Sequence, residues 1–396
     1  MSAQALGWDI HRKFSKVSVE QMTAESEILV VERARLEHGD RQAMQRWLAR
    51  VPKGTPVALE AAYGWPWIAD LLEEMGLEPH LAHPPAVKVL AKTEAKGDRI
   101  DADRLGKFQL RGILPQSYLA TAEVRMRRER IRYRMALSCL RTGVKNRIQA
   151  ILHRLGILHP FSDLFGKQGR RFLQSLALPQ ASHQVLRGYL QLLDRIGGLI
   201  AEVEDWMAAN LKADEIVQLL ATIPGIGLIL AHVIYAEIGE IERFPSRRHL
   251  NSYAGLAPLS DDSAARHGQR HCGLACNHAL RWALIEAVTG VLSTRGPRGQ
   301  RLRKLYARLT HGGRYNKSQA KVAVARELCQ LVYTIWTNRS PYSDNPPPRP
   351  GTVQDCAGPA SDERRQTKAV QQAMRSDQPR FSMVRRRPSA AGQTRL

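Results

Sequence analysis

Four acids give this sequence its chemistry. Asp98 and Asp101 stand three apart in Lys96-Gly97-Asp98-Arg99-Ile100-Asp101-Ala102-Asp103-Arg104-Leu105, a stretch patterned as a helix, so both carboxylates share one face. Like charges held side by side cost stability. A divalent cation such as Mg2+, a hard ion that prefers oxygen ligands, removes that cost. An isolated D-x-x-D is more often a solvated, mixed-charge helix face. Asp9 and Glu60 change the balance, because each sits at the end of an apolar, strand-like run in a chain that is otherwise basic.

The elements that must bring these acids together are readable from periodicity. Residues 5–10, 14–20 and 28–31 read as strands, 40–51 as a helix, 55–60 as a returning strand and 65–75 as a second helix. Leu81 ends a further strand, and residues 86–109 are helical with an interruption at Gly97. A strand meander followed by alternating strands and helices fits an α/β domain with a mixed sheet. There Asp9 on the first strand, Glu60 at the end of the fourth and the Asp98/Asp101 helix can converge as four acids do in ribonuclease-H-like nucleases. Such a site holds two metal ions about 3.5–4 Å apart and clamps the attacking and leaving oxygens of a phosphodiester.

Composition says what the partner is. The 396 residues can carry two or three domains, and 59 Lys+Arg against 37 Asp+Glu give a formal charge of +22. Such an excess points to a polyanion. No run of about 18 apolar residues and no basic-then-apolar leader is present, so a cytoplasmic protein without membrane contact is expected, associated with the nucleoid while it acts. Cys139, Cys272, Cys276, Cys329 and Cys356 are an odd, scattered set that argues against a disulfide framework.

Two long helical patterns follow. Between 120 and 158, Leu137, Leu140, Val144, Ile148, Ile151, Leu152 and Leu155 recur at helical spacing, while arginines including Arg128, Arg132 and Arg147, with Lys145, fill the other faces. The second pattern runs from Val185 to Trp206, with Gly197-Gly198 an expected weak point in the helix. A helical hairpin or coiled coil results, able to pair subunits and to offer Arg128, Arg132, Lys145 and Arg147 to nucleic-acid phosphate. Arginines that only solubilise a long helix are the plainer alternative.

Further on, Ile223-Pro224-Gly225-Ile226-Gly227 separates two helices. A Pro-Gly-x-Gly turn of this kind is similar to a helix-hairpin-helix element, in which Gly225 and Gly227 leave backbone N–H groups free for a DNA phosphate. Ser246 is placed to cap a helix ending near Gly255, residues 256–277 read as a loop, and 279–292 and 320–336 as helices. From Ser340, prolines and arginine clusters mark a basic, disordered tail.

These residues carry a family resemblance. Gly7-Trp8-Asp9, Leu59-Glu60 followed by Trp65, Asp98 to Ala102, Lys145 to Ile148, Ile223 to Gly227, Phe244-Pro245-Ser246, Tyr253 to Pro258 and Leu280 to Leu284 occur in an order and spacing that resemble the DEDD transposases of bacterial insertion sequences. That group comprises bridge-RNA-guided recombinases and is related to Piv-type DNA invertases. The resemblance covers about 6–336. It implies an α/β + α protein with a RuvC-like (ribonuclease-H-like) catalytic domain at 1–115, a coiled-coil or helical-hairpin region at 116–212, a mainly α transposase domain at 213–340 and the tail at 341–396. It also implies a homo-oligomer, a dimer or tetramer, that uses Mg2+ on Asp9, Glu60, Asp98 and Asp101, acts on donor and target DNA, and is guided by a noncoding bridge RNA.

The resemblance further places a nucleophilic serine at Ser263, five residues past Pro258, attacking a DNA phosphate to form a serine-linked intermediate, with Arg266, Arg270 or Arg281 facing the phosphate. The chain departs from the family pattern at Asp261, Asp262, Ala264 and Ala265 around that serine, and at Leu274-Ala275-Cys276-Asn277. His267, His271, Cys272, Cys276 and His278 allow a zinc site as a competing arrangement, although no second Cys-x-x-Cys completes it. Two other functions stay open: a structure-selective nuclease without a covalent intermediate, and an inactive nucleic-acid-binding relic.

Overall fold

Alternation along β1 (Gln4–Ile10) sends Leu6, Trp8 and Ile10 into one apolar cluster and turns Gly7 and Asp9 to the other face. The structure is a computed structural model that describes residues 3–90, 98–211, 214–257, 276–311 and 315–344, with backbone alone at 98–100 and 211. β2 (Phe14–Met22) and β3 (Ile28–Glu37) follow as an antiparallel meander, and β4 (Pro56–Leu59) and β5 (Glu78–Leu81) add in parallel, giving the order β3-β2-β1-β4-β5. The strands are those expected from the sequence, with β3 extended to Glu37.

Helices close both faces. α1 (Arg41–Leu48) and α2 (Trp65–Glu74) bury Met44, Leu48, Ile68, Leu71 and Leu72 against Trp8. After α3 (Pro84–Leu90), α4 (Asp98–Leu110) lies on the opposite face, where Leu105 and Phe108 pack on Ala58 and Ala82. The approach is close because Gly7 has no side chain: a Cβ there would lie 1.8 Å from the Ala102 carbonyl oxygen. Gly7→Ala therefore has to push α4 off the sheet. A loss of ~2–4 kcal/mol, seen as a drop of several degrees in Tm, is expected in a thermal melt; a melt identical to wild type would refute the close approach.

α5 (Ala122–Arg154) starts at an N-cap where the Thr121 hydroxyl accepts from Val124 N–H. It packs on α7 (Gln180–Leu211) through Leu137, Val144, Ile148 and Leu152 against Leu186, Leu190, Leu193, Ile196 and Ile200. Between them lies α6 (Lys167–Ser175), which adds Leu173 to this core. The weak point expected at Gly197-Gly198 is not there: α7 runs unbroken, because the apolar stripe on either side of the pair holds it to α5.

In the last region the elements among the described residues are all helices: α8 (Glu215–Ala221), α9 (Leu228–Ile238), α10 (Arg247–Tyr253), α11 (His278–Ser293), α12 (Gln300–Thr310) and α13 (Lys317–Asn338). Ser246 sits at the N-cap of α10, but its hydroxyl pairs with His249 Nδ1 at 2.9 Å instead of capping the helix. Residues 1–341 form one compact unit; the expected tail beyond 344 lies outside the described residues. No described helix is long and apolar enough to cross a membrane.

Candidate active site and the basic residues around it

β1 and β4 are parallel neighbours in the centre of the sheet, with Leu6, Gly7 and Trp8 opposite Val57, Ala58 and Leu59. Glu60 continues the ladder by one bond, its N–H donating to the Trp8 carbonyl at 3.1 Å, which sets Glu60 beside Asp9 at the carboxyl ends of the two strands. That is where open sheets place ligands. Asp9 is only 7% exposed, with His11 Nε2 3.0 Å from its Oδ2 and Lys16 opposite it in the β1–β2 register.

Ala102 of α4 packs on Gly7, which seats the helix over the same strand ends and brings Asp101, one position before Ala102, near enough to act on the pair through its charge. Glu60 registers the crowding. Burial, a hydrogen bond with Asp9 and the negative charges of Asp9 and Asp101 push its carboxyl up to about 7. Asp101 itself is half exposed and bonded to Arg104 Nη1 at 3.1 Å. Asp98 opens α4 one turn earlier, and its side chain lies outside the described residues.

The structure thus brings together three of the four expected acids and the backbone of the fourth. Among the described residues no three His, Cys, Asp or Glu side chains form a finished cation cage. The donor set fits Mg2+ all the same, since it offers oxygens only, and a cation between Asp9 and Glu60 would offset the repulsion that adds to burial in raising the Glu60 carboxyl.

The basic candidates are placed differently from one another. Arg128 donates to the Ala236 and Glu237 carbonyls at 2.8 and 3.0 Å, and Arg132 grips the Glu237 carboxylate with two bonds of 2.8 Å. With Arg243 donating to the Ile238 carbonyl at 3.0 Å, three guanidiniums meet the C-terminal end of α9, where the helix dipole is negative. Lys145 lies over the Phe165 ring, and Arg147 is exposed.

Gly225, at φ +81°, is pressed on α11: a Cβ would come 2.1 Å from the Ala287 carbonyl, so this glycine serves helix packing. Gly227 is exposed at the N-terminus of α9 with open space around it. Arg281 is half-buried, with Nη1 3.6 Å from the position of a Cβ on Gly255. Ser263, Arg266 and Arg270 lie outside the described residues, as do His267, His271 and Cys272 of the zinc alternative; Cys276 Sγ and His278 Nδ1 are 3.9 Å apart.

Two carboxylates were not legible as site residues. Glu20 on β2 is fully buried under Gly106 of α4, with no well-formed hydrogen-bond partner among the described residues, and burial pushes it up to about 8. Glu237 is fully buried in α9. Burial alone would raise its pKa, but the Arg132 guanidinium and the Asn277 amide outweigh it and hold the carboxyl below the usual range. A single acid inside the apolar run of α9 was the one available sign.

Acids at the carboxyl ends of parallel strands and on a crossing helix, followed by a long helix pair and further helices, are the arrangement expected of a DEDD-type transposase. Residues 6–157 match the DEDD transposase family of the IS110 type, and residues 217–306 match the transposase IS116/IS110/IS902 family, together more than half of the chain. The chain belongs to this insertion-sequence transposase family.

Relatives agree. The transposase for insertion sequence element IS1111A of Coxiella burnetii is 26% identical over 279 residues, 68% of this chain and 74% of that one. The transposase for insertion sequence element IS1328 of Yersinia enterocolitica is 24% identical over 72% of this chain and 85% of its own. A pilin gene-inverting protein of Moraxella bovis is 37% identical over 126 residues, 31% of this chain and 38% of that protein.

Proposed function

We propose that this protein is the DNA recombinase of a mobile insertion sequence, cutting and rejoining donor and target DNA through a link between Ser263 and a DNA phosphate. The observation that carries the reading is the convergence of Asp9, Glu60 and the Asp98/Asp101 helix on the carboxyl ends of β1 and β4. Asp9, Glu60, Asp98 and Asp101 would hold Mg2+, which when bound offsets negative charge on the reacting phosphate. The serine conserves the phosphodiester energy as one P–O bond replaces another, so strands can be rejoined without an external energy source.

A noncoding RNA that pairs with both DNAs supplies the sequence information in this reading, and the formal charge of +22 suits a protein that tracks nucleic-acid backbone. Copies pair through the α5–α7 helices. Tyr133 and Leu140 on α5, and Val185 and Leu192 on α7, are exposed apolar residues at seven-residue intervals, the spacing of a helix–helix seam.

The test is a denaturing gel of labelled donor and target DNA incubated with protein, Mg2+ and RNA transcribed from the flanking element. A protein-linked DNA band is expected from wild type and from neither Ser263→Ala nor Asp98→Ala. Free cleaved ends that persist in Ser263→Ala and vanish in Asp98→Ala would replace the serine reading with a two-metal nuclease.

A further inference from the structure

Tyr253 is the last residue of α10 and Asn277 the N-cap of α11; Ser263 lies between them in the sequence, outside the described residues. The two ends are clasped together. Asn277 N–H donates to the Tyr253 carbonyl at 2.8 Å, and the Asn277 side-chain amide donates to the Tyr253 phenol oxygen at 2.9 Å. Gly255, at φ +65°, adds a close approach, since a Cβ there would lie 2.6 Å from Cys276 Sγ.

The clasp hangs on Glu237. Its Oε2 accepts from the Asn277 amide at 2.8 Å, its carbonyl accepts from the Tyr253 hydroxyl at 3.2 Å, and its carboxylate takes both bonds from Arg132 of α5. Asn277 in turn caps α11, its Oδ1 accepting from Leu280 N–H at 2.9 Å. Above this network opens a recess of about 810 Å³ lined by Arg132, Tyr253, Asn277 and His278.

An ion pair between a buried carboxylate and a half-exposed guanidinium returns little net stability, because Glu237 gives up its water while solvent still screens Arg132. What it does supply is geometry: fork-to-fork bonding fixes direction as well as distance. We infer that Glu237 is a positioning residue for strand cleavage, holding Tyr253 and Asn277, the described positions that flank Ser263 in the sequence, to each other and to α5. The inference rests on the serine reading above for its chemistry, and on the hydrogen bonds of the clasp for its geometry.

The test uses full-length protein with Glu237→Gln, which keeps volume and removes the charge. Three quantities are measured: hydrogen exchange of peptides covering 250–257 and 276–282 without DNA, the Kd for donor DNA, and the single-turnover rate of the protein–DNA link with RNA and Mg2+. Exchange at both ends should rise at least ~10-fold, the linking rate should fall at least ~10-fold with Kd within about two-fold of wild type, and Glu237→Asp should recover part of the rate.

Unchanged exchange at the two ends would overturn the inference. So would a linking rate equal to wild type in a variant whose clasp has loosened, or a rate lost only in proportion to DNA affinity. If wild-type protein forms no link, the serine chemistry fails by itself, and exchange still decides whether Glu237 holds the ends. Should Glu237→Gln not fold, Tyr253→Phe, which removes one hydroxyl from the clasp, supports the same comparison.

Discussion

Asp9→Asn is expected to lower Mg2+-dependent strand cleavage at least ~10³-fold, about 4 kcal/mol of transition-state stabilisation. The expectation follows from where Asp9 sits. It is nearly buried at the end of the central strand β1, shares a hydrogen bond with Glu60, and has Asp101 of α4 near enough to raise the Glu60 carboxyl through its charge. Asparagine keeps the shape and the strand pairing, so the fold survives; it loses one of the negative oxygens a hard cation requires.

A second readout separates metal binding from general damage. Mg2+ should raise the Tm of wild type, because a ligand that binds only the folded state stabilises it. The same addition should leave the Tm of Asp9→Asn nearly unmoved, while the two proteins melt alike in EDTA. Cleavage at wild-type rate, or an undiminished Mg2+ shift in the variant, would remove Asp9 from the site.

How far such a site can be read in advance depends on whether each residue's role is set locally. Asp9, Glu60 and the Asp98/Asp101 pair stood out because acids are scarce in a chain of this charge and because strand and helix periodicity placed them at element ends. Gly7, two residues before Asp9 in the same motif, meant close packing only once Ala102 was known to lie against it. Arg128 and Arg132 read as part of an exposed basic face, yet their partners on α9 are more than a hundred residues away in sequence, and nothing in local spacing announces Glu237 as their counter-ion.

The glycines show the same limit from the other side. Propensity marks Gly197-Gly198 as a break, and packing of Leu193, Ile196 and Ile200 overrides it. Short α6 and α12 escaped notice because a single apolar turn or two is too little periodicity to tell from loop. α1 and α2 cover one side of the sheet and α4 the other; that second layer, which strand periodicity alone does not announce, is what buries Glu20.

Glu20→Gln is accordingly expected to stabilise the protein, and increasingly so as pH rises. Burial lifts the Glu20 carboxyl from 4.5 to about 8, with Ser18 lowering it, Asp103 raising it, and Lys107 and Arg33 lowering it. The folded state therefore favours the neutral acid. Its contribution to stability is fully present below about pH 4.5, where the unfolded chain is also protonated, and is lost as pH climbs through about 8.

Glutamine fills the same space without ever having to ionise beneath Gly106, where Oε2 already occupies the room a Cβ would need. Wild type and variant should differ little at pH 5 and separate by several degrees at pH 9. A gap that is constant or shrinks with pH would show that Glu20 is not held neutral. The consequence reaches the active site through α4: the helix resting on Glu20 is the one that carries Asp98 and Asp101, so the charge forced under it at high pH works against the seating of both acids.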